Sequence, residues 1–351
     1  MFIIRHSQVE KIYLIGMKNL WLLLFFVLCA CSSNTNRKKT IDCVHRVLVH
    51  SDSCILGRPF LIALSDSILT VVDQNNEKML YMFDATSGKS LGGYVKRGQG
   101  PDEYYSISQL GNWKDGLFFY DINKRVVAEI GFKDSIQIIP KFNLGKDVHF
   151  SFASLDNDVF IASGFYQDGR FCILKDSGTK QEYFMDYPSR DEAEKKVTNQ
   201  IKFQAYFGNL VVHPSGNQFM FCTGNADMLS FYTYKNDKII LKKEINKTFP
   251  DYKYDNDTKR FTGFSARSNK VYLYACGTER NVYLLYSGKS YAEAGERAFL
   301  SSRIDVYNWE GEKVNTLMLD IPIKSMVVSE DDKTVYAISM NPEPQIVAFD
   351  L

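Results

Sequence analysis

Long apolar runs, an excess of one charge and the signatures of common enzymes are all scarce in this chain. Lys and Arg total 42 against 41 for Asp and Glu, a formal net charge of +1. No basic stripe is left over to follow a nucleic-acid backbone. After residue 28 no apolar stretch approaches the roughly 20 residues needed to cross a bilayer. Histidines number 5, and those past the first forty positions, His45, His50, His149 and His213, are scattered. No His-Glu-x-x-His string or Cys/His cluster occurs, and the glycine-rich string at 97–104 lacks the Gly-Lys-[Ser/Thr] of a phosphate loop. Setting aside Cys29 and Cys31 leaves Cys43, Cys54, Cys172, Cys222 and Cys276, an odd number at irregular spacing, which specifies neither a disulfide framework nor a metal site. Cys172 and Cys222 fall inside strand-like runs and read as core thiols, while a bridge between Cys43 and Cys54 stays open. No cofactor, metal or catalytic residue is expected.

The start of the chain is where a clear signal lies. Met17-Lys18-Asn19 precedes the apolar run Leu20 to Leu28, and then Cys29-Ala30-Cys31-Ser32-Ser33-Asn34. A cationic start, an apolar core too short to span, and a small residue before a cysteine read as an export signal. Residues 1–16 carry Arg5, Glu10 and Lys11 around a second apolar patch and fit such a signal poorly, so Met17 is taken as the initiator. The Leu-Cys-Ala-Cys ending resembles the lipobox of bacterial lipoproteins. That resemblance implies cleavage before Cys31 and a diacylglycerol thioether on its thiol. Each buried acyl methylene contributes ~0.8 kcal/mol, so two or more chains anchor stably. The polar tract from Ser32 to Thr40, with Arg37, Lys38 and Lys39, reads as a solvated tether. Neither an Asp just after Cys31 nor an acidic surface-export signal is present, which favours an outer-membrane anchor facing the periplasm. The expected organisation is a signal peptide over 1–30, a lipidated tether over 31–42 and one domain over 43–351.

From residue 45 onward the pattern is short alternating runs broken by Gly, Asp and Asn: ILTVVD (68–73), KMLYMFDA (78–85), GLFFYDI (116–122), RVVAEIGF (125–132), QFMFCTG (218–224), NVYLLYSG (281–288) and QIVAFDL (345–351) are examples. Such density predicts an all-β chain, and aromatics at 14% agree. Only residues 189–206 have helix-like composition, and Ser287 to Ser302 reads as a mobile excursion. Units recur. Val71-Val72-Asp73 with Asn75 to Lys78 is matched 48 positions on by Phe119-Tyr120-Asp121 with Asn123 to Arg125, and the turn Phe83 to Lys89 is echoed by Tyr307 to Lys313. A period near 50 over about 300 residues predicts a six-bladed β-propeller of four-stranded blades. One blade cannot bury both faces alone, whereas packing between neighbours does so. A segment within 43–64 is expected to complete the blade built by the C-terminal strands and close the ring.

The sharpest internal signature is Arg97-Gly98-Gln99-Gly100-Pro101-Asp102-Glu103-Tyr104. Its glycines allow φ > 0 and Pro101 fixes the following turn. His213 to Asn217 before QFMFC resembles the opening of a TolB-type blade. With the lipobox and the repeats, the Gly-x-Gly-Pro-x-Glu-[Tyr/Phe] string is similar to the TolB-like, six-bladed propeller lipoproteins of Bacteroidetes of the BF3164 type. The resemblance implies a fold and a location but carries no activity. The 97–104 string is expected to be a blade-to-blade loop, either a clasp in which Glu103 accepts backbone N–H groups and Arg97 pairs with an acid, or a ligand-facing loop through Arg97, Gln99 and Glu103. Connections 186–207 and 248–263 are expected on the same face. In the second, Tyr252, Tyr254 and Asp255 are candidates for stacking on a sugar or receiving a peptide, and Asp255 with Asp257 for a hard cation.

These features favour a monomeric, non-catalytic binding module, held to the membrane by lipid on Cys31, for an envelope protein or glycan and not for nucleic acid. The alternative is a metal-dependent hydrolase or lactonase in the propeller channel, for which Glu103, Asn209, Asn225 and Asp227 are conceivable ligands. A third reading, an envelope scaffold like the TolB propeller, predicts protein partners only.

Overall fold

A computed structural model describes residues 39–50, 56–114, 116–156, 158–255, 257–258 and 260–351. The signal segment, the proposed lipid site Cys31 and most of the tether lie outside these residues. Residues 39–351 form one compact unit. Blade 1 consists of Pro59–Ser65, Ile68–Asp73, Lys78–Asp84 and Ser90–Arg97. Blade 2 runs through Ile107–Trp113, Gly116–Asp121, Val126–Gly131 and Gln137–Asn143, and blade 3 through His149–Asp156, Val159–Gly164, Phe171–Lys175 and Lys180–Phe184. Blade 4 is Gly208–Val212, Gln218–Thr223, Met228–Lys235 and Lys238–Asn246. Blade 5 is Asn269–Gly277, Asn281–Ser290, Ser301–Asn308 and the first half of Lys313–Val328. The second half of that strand is the inner strand of blade 6, followed by Thr334–Ser339 and Gln345–Asp350. Within each blade the strands pair antiparallel, inner to outer, and each inner strand meets the inner strands of both neighbouring blades around the axis.

The ring closes as the sequence predicts. His45–Val49 pairs antiparallel with Gln345–Asp350 and supplies the outer strand of blade 6, with Val47 opposite Val347. An additional strand, Lys39–Cys43, lies parallel to Asn315–Leu319 on the outer edge of blade 5. Lys39–Cys43, in the stretch expected to be tether, is thus part of the propeller, because Ile41 and Cys43 reach the core between blades 5 and 6. Cys43 is a free, buried thiol. Its suggested partner Cys54 lies outside the described residues. Cys172 and Cys222 are free and fully buried, as core thiols should be.

Burial on both faces explains why neighbouring residues in one strand can all be apolar. In blade 1, Leu80 and Met82 point into the core shared with blade 2, while Tyr81 and Phe83 point into the core shared with blade 6. Phe119 faces blade 1 and Phe118 faces blade 3. Six such inter-blade cores follow one another around the ring and return to the start.

The echoed turns are the same device in two blades. Asp84 Oδ1 accepts from Ser87 N at 2.7 Å, Gly88 N donates to Asp84 O, and Gly88 has φ 71°. In blade 5, Asn308 Oδ1 accepts from Glu312 N at 2.8 Å, Gly311 N donates to Asn308 O, and Gly311 has φ 74°. The helix-like composition of 189–206 is realised as a 3₁₀ turn, Glu194–Lys196, and the helix Asn199–Ala205.

One expectation is corrected. The excursion from Ser287 to Ser302 is folded: a strand runs to Ser290, then the short helix Tyr291–Ala294 and a 3₁₀ turn Gly295–Phe299. Ser290 and Glu293 form a capping box there, each side chain accepting from the other's backbone N–H. Ser287 Oγ donates to Ala298 O and Ala292 N to Ala266 O, which fastens the excursion to the segment before blade 5.

Candidate functional site

The 97–104 string folds back on itself. Glu103–Tyr104 pairs parallel with the end of the outer strand of blade 1, Lys96 opposite Glu103 and Arg97 opposite Tyr104. Gly98 N donates to Tyr104 O, and Glu103 Oε2 accepts from Gly100 N at 3.0 Å. Neither Gly98 nor Gly100 has positive φ, so the sequence-based reason for them is replaced by a steric one. A Cβ on Gly98 would lie 1.9 Å from Glu103 Oε2, and one on Gly100 3.1 Å.

Blade 2 grips the same loop. Lys124, in the turn between its two middle strands, donates from Nζ to Gly100 O at 2.7 Å and to Glu103 O. Tyr104 is buried edge-on against Phe119, with ring centroids 4.7 Å apart. Arg97 donates to Tyr105 O at 3.0 Å and Gln74 O at 2.6 Å, carbonyls where an acid was expected. The geometry is that of a blade-to-blade clasp; Gln99 is left exposed on its outside.

Segments 185–207 and 247–268 lead, like the clasp, into the starts of inner strands, those of blades 4 and 5. They share one core: Tyr187, Val197, Ile201, Phe203, Tyr206 and Tyr252 are buried, with Phe249, Tyr254, Phe261 and Phe264 packed against them. At its centre Glu194, itself 1% exposed, accepts from Tyr206 Oη at 3.0 Å. Burial, and then the Glu194 carboxylate, push Tyr206 and Tyr252 well above the ordinary phenol range. Burial also lowers Lys202, whose Nζ donates to Ser189 Oγ at 2.7 Å. Arg190 lies over the Tyr252 ring. Tyr252 is thus a core residue of the platform, Tyr254 is half-buried against the same core, and Asp255 accepts from Asp257 N and Thr258 N within its own turn. The Thr258 and Asp257 donors hold Asp255 below the usual carboxylate range. On the outside, Phe165 and Phe207 are 41% and 43% exposed, each edge-on to Phe203. The sequence does not mark these two rings as exposed, since each sits between a glycine and a tyrosine that is itself buried, Gly164-Phe165-Tyr166 and Tyr206-Phe207-Gly208.

A separate cavity of about 530 Å³ occupies the axis. It is lined by the later residues of all six inner strands, such as Ala63, Asn112, Ala153, Asn209, Tyr274 and Val327, and opens where those strands end. The clasp and the two long segments lead into their beginnings instead. None of Arg97, Gln99, Glu103, Tyr252, Tyr254 or Asp255 lines it. Several of its polar groups tie neighbouring inner strands or turns together. Gln109 Nε2 donates to Phe150 O at 2.7 Å, Ser151 Oγ to Gly208 O at 2.7 Å and Asn209 Nδ2 to Tyr272 O at 3.3 Å. His213 bridges Ser215 and the Glu279 carbonyl beside Trp309.

The acidic residues of the lining are Asp156 and Glu330. Of the conceivable metal ligands, Asn209 alone reaches the cavity. Asn225 accepts from Lys270, and Asp227 holds Tyr272 and Lys247 between blades 4 and 5. Among the described residues no three His, Cys, Asp or Glu side chains cluster as metal ligands.

A closed ring of six four-stranded blades, with His45–Val49 completing the last, defines a six-bladed propeller. The family profile described as TolB-like 6-blade propeller-like matches residues 36–331, and the chain belongs to that family. Similar solved structures include a Bacteroides fragilis protein described as exported, with TM-score 0.53, 14% identity, 88% of this chain covered and 98% of that one. U3-55K is similar at TM-score 0.53 and 10% identity over 88% and 98% of the two chains. A luciferin-regenerating enzyme is similar at 0.50 and 8% over 88% and 95%. At these identities the likeness is one of fold. No curated protein matches the sequence. No helix among the described residues is long and apolar enough to cross a membrane.

Proposed function

We propose that this protein is a non-catalytic binding module of the bacterial cell envelope, of the Bacteroidetes lipoprotein type, anchored by lipid on Cys31 in the outer membrane and facing the periplasm. Its partner is an envelope protein or glycan, met on the platform over blades 3 to 5. The observation that carries this reading is the surplus of chain on that side. Blades 2 and 3 are linked by residues 144–148, whereas 185–207, 247–268 and the folded excursion after Ser290 are far longer than a link requires. The two long segments pack into a common core, and Phe207 at the end of the first stands exposed with Phe165 of blade 3 beside that core. Variable loops on a rigid scaffold are where recognition is built. The rival hydrolase needs carboxylates converging in the channel, and among the described residues Asp156 and Glu330 are the acidic ones that line it.

The test is affinity capture from detergent-solubilised envelopes, together with a glycan array, using wild type and the Phe165→Ser/Phe207→Ser variant. Loss of a specific partner with the variant is the expected result. Identical capture by both, or a partner lost instead on Glu330→Gln, overturns the placement. Anchoring is tested by detergent phase separation, in which Cys31→Ala moves the protein to the aqueous phase; unchanged partitioning refutes a lipid on that thiol.

A further inference from the structure

Arg170 is a charge without a counter-charge. It is 2% exposed, at the junction of blades 3 and 4, where the long segment 185–207 begins. Its backbone N–H is shared between Phe184 O and Met185 O, which fixes where the side chain starts. The guanidinium is boxed by rings: its carbon lies 4.6 Å from the Phe221 centroid, 5.1 Å from Phe171 and 5.5 Å from Tyr187. One hydrogen bond leaves it, from Nη1 to Tyr232 Oη at 3.0 Å. The Nε–H is buried with no acceptor.

A guanidinium is always charged and carries five donors in a fixed fork. Aromatic faces attract the cation, each contributing about 0.5–2 kcal/mol, but they accept few of its N–H groups. A buried charge is normally paired, and an unpaired buried donor marks a place where an ion belongs. Here, among the described residues, no carboxylate forms an ion pair with it. The buried Glu194 belongs to Tyr206, on the far side of the Tyr187–Tyr206 ring pair. Two neutral hydroxyls belong to this surround instead: Tyr232 Oη, which accepts from the cation, and the hydroxyl of the Tyr187 ring that faces it, 3.5 Å from Ser163 Oγ. A cation flanked by neutral hydroxyl donors and apolar ring edges is the environment that receives a small, weakly hydrated anion.

We propose that Arg170, with Tyr187 and Ser163, binds a small monovalent anion, a halide or a carboxylate group, between blades 3 and 4. The bound anion neutralises the buried Arg170 charge where segment 185–207 begins, so anion occupancy and the order of that segment are linked.

The experiment is thermal unfolding of the intact domain at constant ionic strength, with sodium gluconate, too bulky to enter, replaced stepwise by sodium chloride or sodium acetate. In wild type, Tm rises by about 2 °C or more and saturates; a response to chloride alone identifies a halide site, and one to acetate as well a carboxylate site. Arg170→Met, which keeps volume and removes charge, shows no saturable response. Bromide-soaked crystals carry the second readout, an anomalous peak within hydrogen-bond distance of Arg170 Nε, which does not depend on the variant folding. A linear, equal salt response in wild type and Arg170→Met, or bromide-soaked crystals without that peak, overturns the proposal.

Discussion

Asp73 and Asp121 stand at the same point of consecutive blades and hold the same set of donors. Each is fully buried at the end of its blade's second strand. Asp73 accepts from Gly57 N, Arg58 N and Asn75 N at 2.6, 2.9 and 2.9 Å, and from Asn76 Nδ2 at 3.0 Å. Asp121 accepts from Tyr105 N, from Ser106 N at 3.1 Å, and from Asn123 N and Lys124 N at 2.9 Å each. One carboxylate thus joins the chain entering a blade to the turn between that blade's middle strands. The 48-residue repeat seen in the sequence is the trace of this joint.

Removing the joint leaves several backbone donors buried without acceptors, each at about 1–3 kcal/mol. Asp121→Ala is therefore expected to lose about 3 kcal/mol or more in urea denaturation, and Asp121→Asn, which keeps one acceptor oxygen, less. A loss under about 1 kcal/mol for the alanine variant would show that water replaces the carboxylate.

In the clasp, the demand for glycine falls on position 98 more than on position 100. Gly98→Ala pushes a Cβ onto Glu103 Oε2, whereas Gly100→Ala makes only a tight contact. The expected order of melting temperatures is wild type, Gly100→Ala, Gly98→Ala. In the double variant Gly98→Ala/Glu103→Ala the cost of the alanine at 98 should largely vanish, since the atom it strikes is gone. Additive losses in that cycle would place the strain elsewhere.

Acid should loosen the blade 2–3 junction through His149. Burial pushes this imidazole down to about 4, with Asp147 nearby raising it and Arg125 lowering it. Its Nδ1 meets Tyr166 Oη, and Tyr120 and Phe152 flank the ring. Because the folded pKa lies below the unfolded value of about 6.5, the unfolded chain takes up the proton first. The neutral ring's contribution is complete above pH 6.5 and fades as pH falls towards 4, by about 1.4 kcal/mol per unit. Urea midpoints at pH 7, 5.5 and 4.5 should fall more steeply for wild type than for His149→Gln; parallel slopes would assign the acid sensitivity to other groups.

Closure of the ring makes two deletions unequal. Removing residues through Val44 strips the extra strand from blade 5, while removing them through His50 also unpairs Gln345–Asp350. The shorter deletion is expected to stay folded with a lowered Tm, and the longer one to aggregate or lose cooperative unfolding. Cooperative melting of the longer deletion would mean that blade 6 holds with three strands.

What the sequence made legible follows from burial. The readable runs were chiefly the two middle strands of each blade, such as Ile68–Asp73 with Lys78–Asp84 or Gly116–Asp121 with Val126–Gly131, apolar on both faces between neighbouring blades. Most outer strands escaped notice, the closing strand within 43–64 and the run at 313–320 excepted: Lys238–Asn246 alternates half-buried residues with exposed ones, and Gln137–Asn143 carries Pro140, which an edge strand tolerates. Inner strands such as Gly208–Val212 are short and border a polar axis. The clasp was visible as a string, but its glycines answer to Glu103 and not to backbone conformation. Arg170 gave no signal, because its isolation depends, besides its neighbour Phe171, on Tyr187 in the following long segment and on Phe221 and Tyr232 of blade 4.

The strand that seals the ring has a consequence for biosynthesis. His45–Val49 finds its partner Gln345–Asp350 about 300 residues later. Until those last residues are available, His45–Val49 has nothing to pair with and blade 6 remains open, so a growing chain cannot lock into its native disc. Contacts this far apart in sequence form slowly. If the export proposed above holds, that delay suits a chain that passes through a narrow channel unfolded and assembles on the other side.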